Sequence, residues 1–114
     1  MKAGDVILIA LPQGDGRAKI RPAILLRQLP GYGDWLVCGV SSKLHQALPY
    51  FDEVIQLGDE DFVQSGLLTD SVIRLAFLSS QPSSRIPGVI GSISQQRLSR
   101  LLHRLADFLV APLS

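Results

Sequence analysis

The stretch PAILLRQLPGYGDWLVCGVS, residues 22–41, decides the reading of the fold. Two apolar runs are separated by PGYGD at residues 30–34, which carries two glycines and an aspartate. Such a segment turns the chain back on itself. A parallel crossover needs about a dozen residues or more, so the two runs pair antiparallel. Trp35–Ser41 reads as one strand and Pro22–Leu29 as its partner. The proline is tolerable as the first residue of a strand. It leaves unexplained why Lys19 and Arg21 stand at the mouth of so apolar a run.

Working outward, Val6–Leu11 is a third strand: five of its six residues are Val, Ile or Leu. Pro12–Gly16, PQGDG, is a loop, and Ser42–Tyr50 is a second, polar one. Glu53–Leu57 alternates polar and apolar residues and suits a half-exposed strand, with a single helical turn expected at Asp59–Phe62. Ser71–Leu78 is a further strand, Ser79–Pro87 a loop, and Val89 and Ile90 mark a short last strand. Then the period changes. Leu98, Leu101, Leu102, Leu105 and Leu109 share one face of a helix, with Ser94 as N-cap and Ile93 against Leu98 as a hydrophobic staple. Pro112 stops the helix. The expected fold is mainly β, a single domain over residues 1–114. It is a small, strongly bent antiparallel sheet or half-open barrel, one opening covered by the C-terminal amphipathic helix.

The bulk composition agrees. Of 114 residues, 46% are apolar and 18% charged, enough for a core and too apolar for disorder. No apolar run approaches the roughly 18 residues of a membrane span. Asp5 precedes the first apolar run, which favours a strand over a signal peptide. The lone cysteine, Cys38, excludes an internal disulfide and a cysteine-based zinc site, and its apolar strand predicts a buried, inert thiol. These features favour a cytoplasmic protein without a membrane partner. Net charge is only +1, but residues 1–51 carry six basic side chains against three acids, while 52–61 hold five acids and no base. That is either one basic side of the molecule or two ordinary solvated faces. Arg97, Arg100 and Arg104 lie on the helix face away from the leucines, where a solvated surface is expected ahead of a nucleic-acid surface.

Motifs for nucleotide binding or metalloprotease chemistry are missing. The two histidines are far apart, and neither a metal cluster nor a cofactor motif is visible. His103 falls in the helix and reads as structural, whereas His45 sits in a polar loop. What remains is Arg21, just after Arg17 and Lys19, and Ser41, followed by Ser42 and Lys43. Strand ends meeting at one sheet edge would bring these groups together. A fixed guanidinium beside a hydroxyl suits phosphate chemistry, because arginine stays charged and presents planar donors to an oxyanion.

The ordered set GDVILIALP, KIRPAILL, VCGVSSK, SGLLTDSVIRLAFL and IGSISQQRLSRLLHRLADFL resembles the MazF/PemK toxins of type II toxin–antitoxin systems from Gly4 to Leu109. The resemblance implies an SH3-like antiparallel β-barrel of the CcdB/PemK type with a C-terminal helix, usually a homodimer. It implies an endoribonuclease that cleaves single-stranded mRNA without a metal, by attack of the 2′-OH on the adjacent phosphate, and that is blocked by a cognate antitoxin. By position it implies Arg21, Ser41 and Asp70 as catalytic, with Arg17, Lys19, Ser42, Lys43 and His45 as RNA contacts. One departure is clear: Leu68 stands where PemK-type members carry an arginine two residues before the aspartate. A non-catalytic barrel that binds an antitoxin or another protein, and a CcdB-like gyrase poison, are the alternatives the same fold allows.

Overall fold

A computed structural model describes residues 1–12 and 14–112. In chain order the elements are β1 (Asp5–Pro12), β2 (Ala18–Gln28), β3 (Trp35–Ser41), β4 (Glu53–Ile55), α1 (Phe62–Ser65), β5 (Ser71–Gln81), β6 (Val89–Ser92) and α2 (Gln95–Val110). Single 3-10 turns lie at Leu44–Gln46 and Ser83–Arg85. The six strands form one antiparallel sheet in the order β4-β5-β3-β2-β1-β6, curled into a half-barrel. Among the described residues no helix is long and apolar enough to cross a membrane.

Both faces of the sheet are packed, which is why β1, β2 and β3 read as continuous apolar runs rather than alternating ones. Even-numbered residues such as Val6, Ile24, Cys38 and Val40 point into a core with Leu98, Leu101 and Leu105 of α2. Odd-numbered ones such as Ile7, Ile9, Ala23 and Val37 form a second cluster under Trp35 and Ile86. The gap between the edge strands is closed by helices. The backbone of α1 crosses β6 so closely that a Cβ on Gly91 would lie 2.3 Å from the Gln64 carbonyl oxygen. At the other edge, Arg97 of α2 donates to the Val54 carbonyl of β4.

The acidic run and the arginine stripe on α2 are only partly solvated: Glu60 and Arg100 stay exposed, but Asp52, Glu53, Asp61 and Arg97 are buried. Arg97 is buried and donates to Asp61 through Nε and Nη2 (2.8 and 3.0 Å), to Glu53 (2.8 Å) and to Asp59 (3.1 Å). Arg100 and Arg104 complete the group on Glu53 at 2.8 and 3.0 Å. Burial pushes the Asp61 carboxyl up, but the bonds and charge of Arg97 and the Ser94 N–H outweigh it and hold it at about 2. Two expectations for α2 are met. Ser94 Oγ accepts the Arg97 N–H at 3.1 Å, and Ile93 packs with Leu98 in the same core. Cys38 is fully buried, and burial, then the nearby Asp52 charge, pushes its thiol up to about 12.

Several boundaries differ from the sequence reading: β4 ends at Ile55 rather than Leu57, and β5 runs on to Gln81 through residues expected in a loop, where it pairs with the start of β3. The helical turn forms at Phe62–Ser65 rather than Asp59–Phe62, because Asp59 and Asp61 are turned to Arg97. More consequentially, β2 begins at Ala18, so Pro22 lies inside the strand, paired with Leu8 of β1. The β3 ladder starts only at Ala23, opposite Gly39. From Ala18 to Pro22 the strand has one neighbour, and a residue without an N–H is accommodated on the open edge.

Candidate functional site

The parting of β2 from β3 makes the site. The β2–β3 pairing ends at Ala23↔Gly39, and two clefts open where the strands part. Arg21 and Ser41 each lie two residues beyond that last pair, on the face shared with Ala23 and Gly39. Both side chains line the two clefts and form the ridge between.

The first cleft, about 210 Å³, is walled by Arg21, Ser41, Lys43, Gln46, Arg74 and Phe77, with Leu11 and Gly39 at its floor. It is basic: among the described lining side chains, three are cations and none is a carboxylate or an imidazole. The second, about 360 Å³, is largely apolar, with Leu8, Ile20, Pro22, Leu67, Leu68 and Ile90, edged by Lys19, Ser42, Thr69 and Ser71. Leu68 is almost wholly exposed on its wall. A basic cleft beside an apolar one, divided by a guanidinium and a hydroxyl, can hold a phosphodiester across the ridge, with a base on the apolar side.

Ser41 is held in place. It is 7% exposed, accepts the Lys43 backbone N–H at 3.1 Å and donates its own proton to Gln46 Oε1 at 3.1 Å. The short 3-10 turn after β3 brings Gln46 back to the strand end.

Of the residues singled out in the sequence, Arg21, Ser41, Lys43, Lys19 and Ser42 reach the clefts. Arg17, His45 and Asp70 line neither. Arg17 sits in the β1–β2 loop, its N–H bonded to Asp15 Oδ1 at 3.0 Å. His45 is exposed on the 3-10 turn. Asp70 accepts the Leu57 N–H at 2.8 Å and ties two loops together. Among the side chains that wall the basic cleft, Gln46, Arg74 and Phe77 are not among the candidates drawn from the sequence. Gln46 lies inside the polar loop Ser42–Tyr50, next to His45, and its contact with Ser41 comes from the 3-10 turn that folds the loop back. Arg74 and Phe77 depend on an irregularity of β5 that no local pattern announces.

A search of curated proteins finds no match. Solved structures are similar in fold over nearly the full length. An endoribonuclease from a mycobacterial species, in complex with its cognate antitoxin, superposes with a TM-score of 0.69 at 11% identity, covering 100% of this chain and 99% of that one. The Mycobacterium tuberculosis toxin MazF-mt6 gives 0.68 at 14% identity, over 96% and 99% of the two chains. A chain of the MazE–MazF complex from Deinococcus radiodurans gives 0.68 at 18%, over 98% and 97%. At such identities the likeness speaks for the fold. The sequence itself matches the family described as PemK-like, MazF-like toxin of type II toxin-antitoxin system over residues 2–109. Half-barrel, terminal helix and family match agree along almost the whole chain, which thus belongs to the PemK-like, MazF-like toxins of type II toxin–antitoxin systems.

Proposed function

We propose that this toxin cleaves single-stranded RNA, using the ridge between the two clefts as its catalytic centre. The carrying observation is that Arg21 and Ser41, the cation and the hydroxyl, stand together where β2 and β3 part, and line both clefts. In the reaction the ribose 2′-oxygen bonds to the adjacent phosphorus and gives up its proton. The phosphorus–5′-oxygen bond breaks, and the 5′-oxygen takes a proton. The products end in a 2′,3′-cyclic phosphate and a 5′-hydroxyl.

Arg21 neutralises the charge that builds on the phosphoryl oxygens. Its guanidinium stays protonated, with a pKa above ~12, so it stabilises and does not shuttle protons. Ser41, held by the Lys43 N–H that it accepts, orients the phosphate by turning its one proton from Gln46 Oε1 to a phosphoryl oxygen. Lys43 and Lys19 grip the backbone on either side. Asp70 supports the chemistry from outside by fixing the Leu57 loop. With no carboxylate or imidazole among the described lining residues, the 2′-proton passes to water. A cognate antitoxin is the inhibitory partner, as in the mycobacterial complex of the same fold. A homodimer is the working assembly, and the exposed Phe108, Leu109 and Val110 at the end of α2 mark apolar surface for the second copy.

The test is purified protein on end-labelled RNA in a chelator, beside Arg21→Ala and Arg21→Lys. Cleavage is expected for the parent, with a loss of about 10²-fold or more for Arg21→Ala. Intact RNA with the antitoxin still bound would favour a non-catalytic barrel instead.

A further inference from the structure

We propose that Arg74 is a second phosphate ligand of the basic cleft, gripping the RNA phosphate next to the one that Arg21 holds. The proposal rests on the reading of this cleft as an RNA site. It begins with the irregularity in β5. Consecutive β3 residues Cys38 and Gly39 pair with Leu78 and Arg74, so Leu75, Ala76 and Phe77 bulge out of the ladder. The bulge is anchored from within. Asp52, buried, accepts the Leu75 N–H at 3.0 Å through one carboxylate oxygen and the Leu48 N–H at 2.9 Å through the other.

This detour delivers two side chains to the cleft. Phe77 swings over Gly39, where even a Cβ would lie 3.3 Å from its ring. Arg74 then lies against that ring, its guanidinium carbon 5.8 Å from the centroid. Register puts Arg74, Gly39, Ser41 and Arg21 on one face, across three neighbouring strands. Arg74 is opposite Gly39, two residues short of Arg21 along the sheet, so the two arginines start about 9.5 Å apart across the strands and about 6.6 Å along them, roughly 11.5 Å in all, which suits neighbouring phosphates rather than a shared oxygen.

The second observation is what Arg74 lacks. Its Nε–H is buried without a hydrogen-bond partner among the described residues. Buried donors in native proteins are nearly always paired, and an unpaired one on a permanent cation is a strong demand for an anion. Arginine meets phosphate with donors in a planar fork, and the Phe77 ring holds that fork at the cleft wall.

The test uses a mixed-sequence 2′-O-methyl oligoribonucleotide, which has no 2′-hydroxyl to attack, so binding is read without cleavage. Arg74→Met is expected to weaken binding about tenfold and to flatten the slope of log affinity against log salt by about 0.7, the loss of one contact to a single strand. Arg74→Lys should keep the slope while losing part of the affinity. Arg85→Ala, an exposed arginine outside both clefts, should change neither. In cleavage of ordinary RNA, the larger part of the Arg74→Met loss should fall in KM rather than kcat. Its melting temperature should equal or exceed the parent's, since the side chain leaves a buried donor unsatisfied. Unchanged affinity and slope in Arg74→Met would overturn the proposal, as would an equal effect from Arg85→Ala. If RNA is cut normally while Arg74 variants bind like the parent, only this assignment falls. If RNA is not cut yet the oligonucleotide binds with an Arg74-dependent slope, the cleavage reading falls and this one stands.

Discussion

Replacing Arg97 with methionine removes the charge that joins α2 to the far edge of the sheet while keeping an unbranched apolar stem. The side chains involved are nearly out of water: 8% exposed for Arg97, 6% for Glu53 and 3% for Asp61. In the variant Glu53 keeps Arg100 and Arg104, but Asp61 retains the Ser94 N–H without the guanidinium. Removing one partner of a buried pair costs about 3–5 kcal/mol, because the other charge is stranded. For a chain of this length that is roughly 12–20 °C in melting temperature. The pH dependence adds a second check. In the parent, Asp61 sits at about 2, below the ordinary carboxylate value near ~3.9, so its contribution is complete at neutral pH and is lost as pH falls from about 4 towards 2. In Arg97→Met the lowering by the guanidinium is gone, and burial, the largest influence on Asp61, outweighs the remaining Ser94 N–H and lifts the carboxyl above the ordinary value. The penalty of its buried charge is then relieved as pH falls. The gap between the two proteins should be widest near pH 7 and narrower near pH 4. Urea unfolding followed by the fluorescence of buried Trp35 measures both. A loss below about 1 kcal/mol, or a gap that does not respond to pH, would refute the picture of a stranded carboxylate.

Other expectations follow from the same geometry. Gly91→Ala, at an ordinary backbone angle, must push its Cβ into the Gln64 and Ser65 backbone; a loss of about 3 kcal/mol or more is expected by denaturant unfolding. Gly39→Ala meets only the Phe77 ring, so it should cost about 1–2 kcal/mol while weakening RNA binding through a displaced Phe77 and Arg74. Asp70→Asn keeps an oxygen for the Leu57 N–H and should cleave RNA nearly as the parent does; a collapse of kcat in a folded Asp70→Asn protein would return Asp70 to the chemistry. If the 2′-proton goes to water, cleavage should rise steadily with pH between about 5 and 8, without the bell that a matched acid and base produce.

Much of the fold was open to reading because its signals are local. The β2–β3 hairpin follows from PGYGD, β3 has the bounds its apolar run suggested, and Ser94 caps α2 as the period change implied. What could not be read depends on contacts between distant residues. Arg97 looks solvated on a helical wheel, and only its pairing with acids 36 to 44 positions away takes it inside. Pro22 looks like a strand start because its local rule says so; its true place depends on where β3 stops pairing. In the site, Arg21 and Ser41 stand out in the sequence as unusual residues beside apolar runs, and the parting of β2 from β3 then leaves both on the walls of the same two clefts. Arg74 and Phe77 reach the cleft through a bulge fixed by Asp52, some twenty residues away, which no period in SVIRLAFL shows.

The most direct measurement is end-group analysis of RNA incubated with the purified toxin in a chelator, with Arg21→Ala run alongside. The account expects fragments ending in 2′,3′-cyclic phosphate and beginning with 5′-hydroxyl, and an Arg21→Ala protein that melts like the parent but releases almost none of them. Fragments with a 5′-phosphate, or equal cleavage by Arg21→Ala, would contradict it.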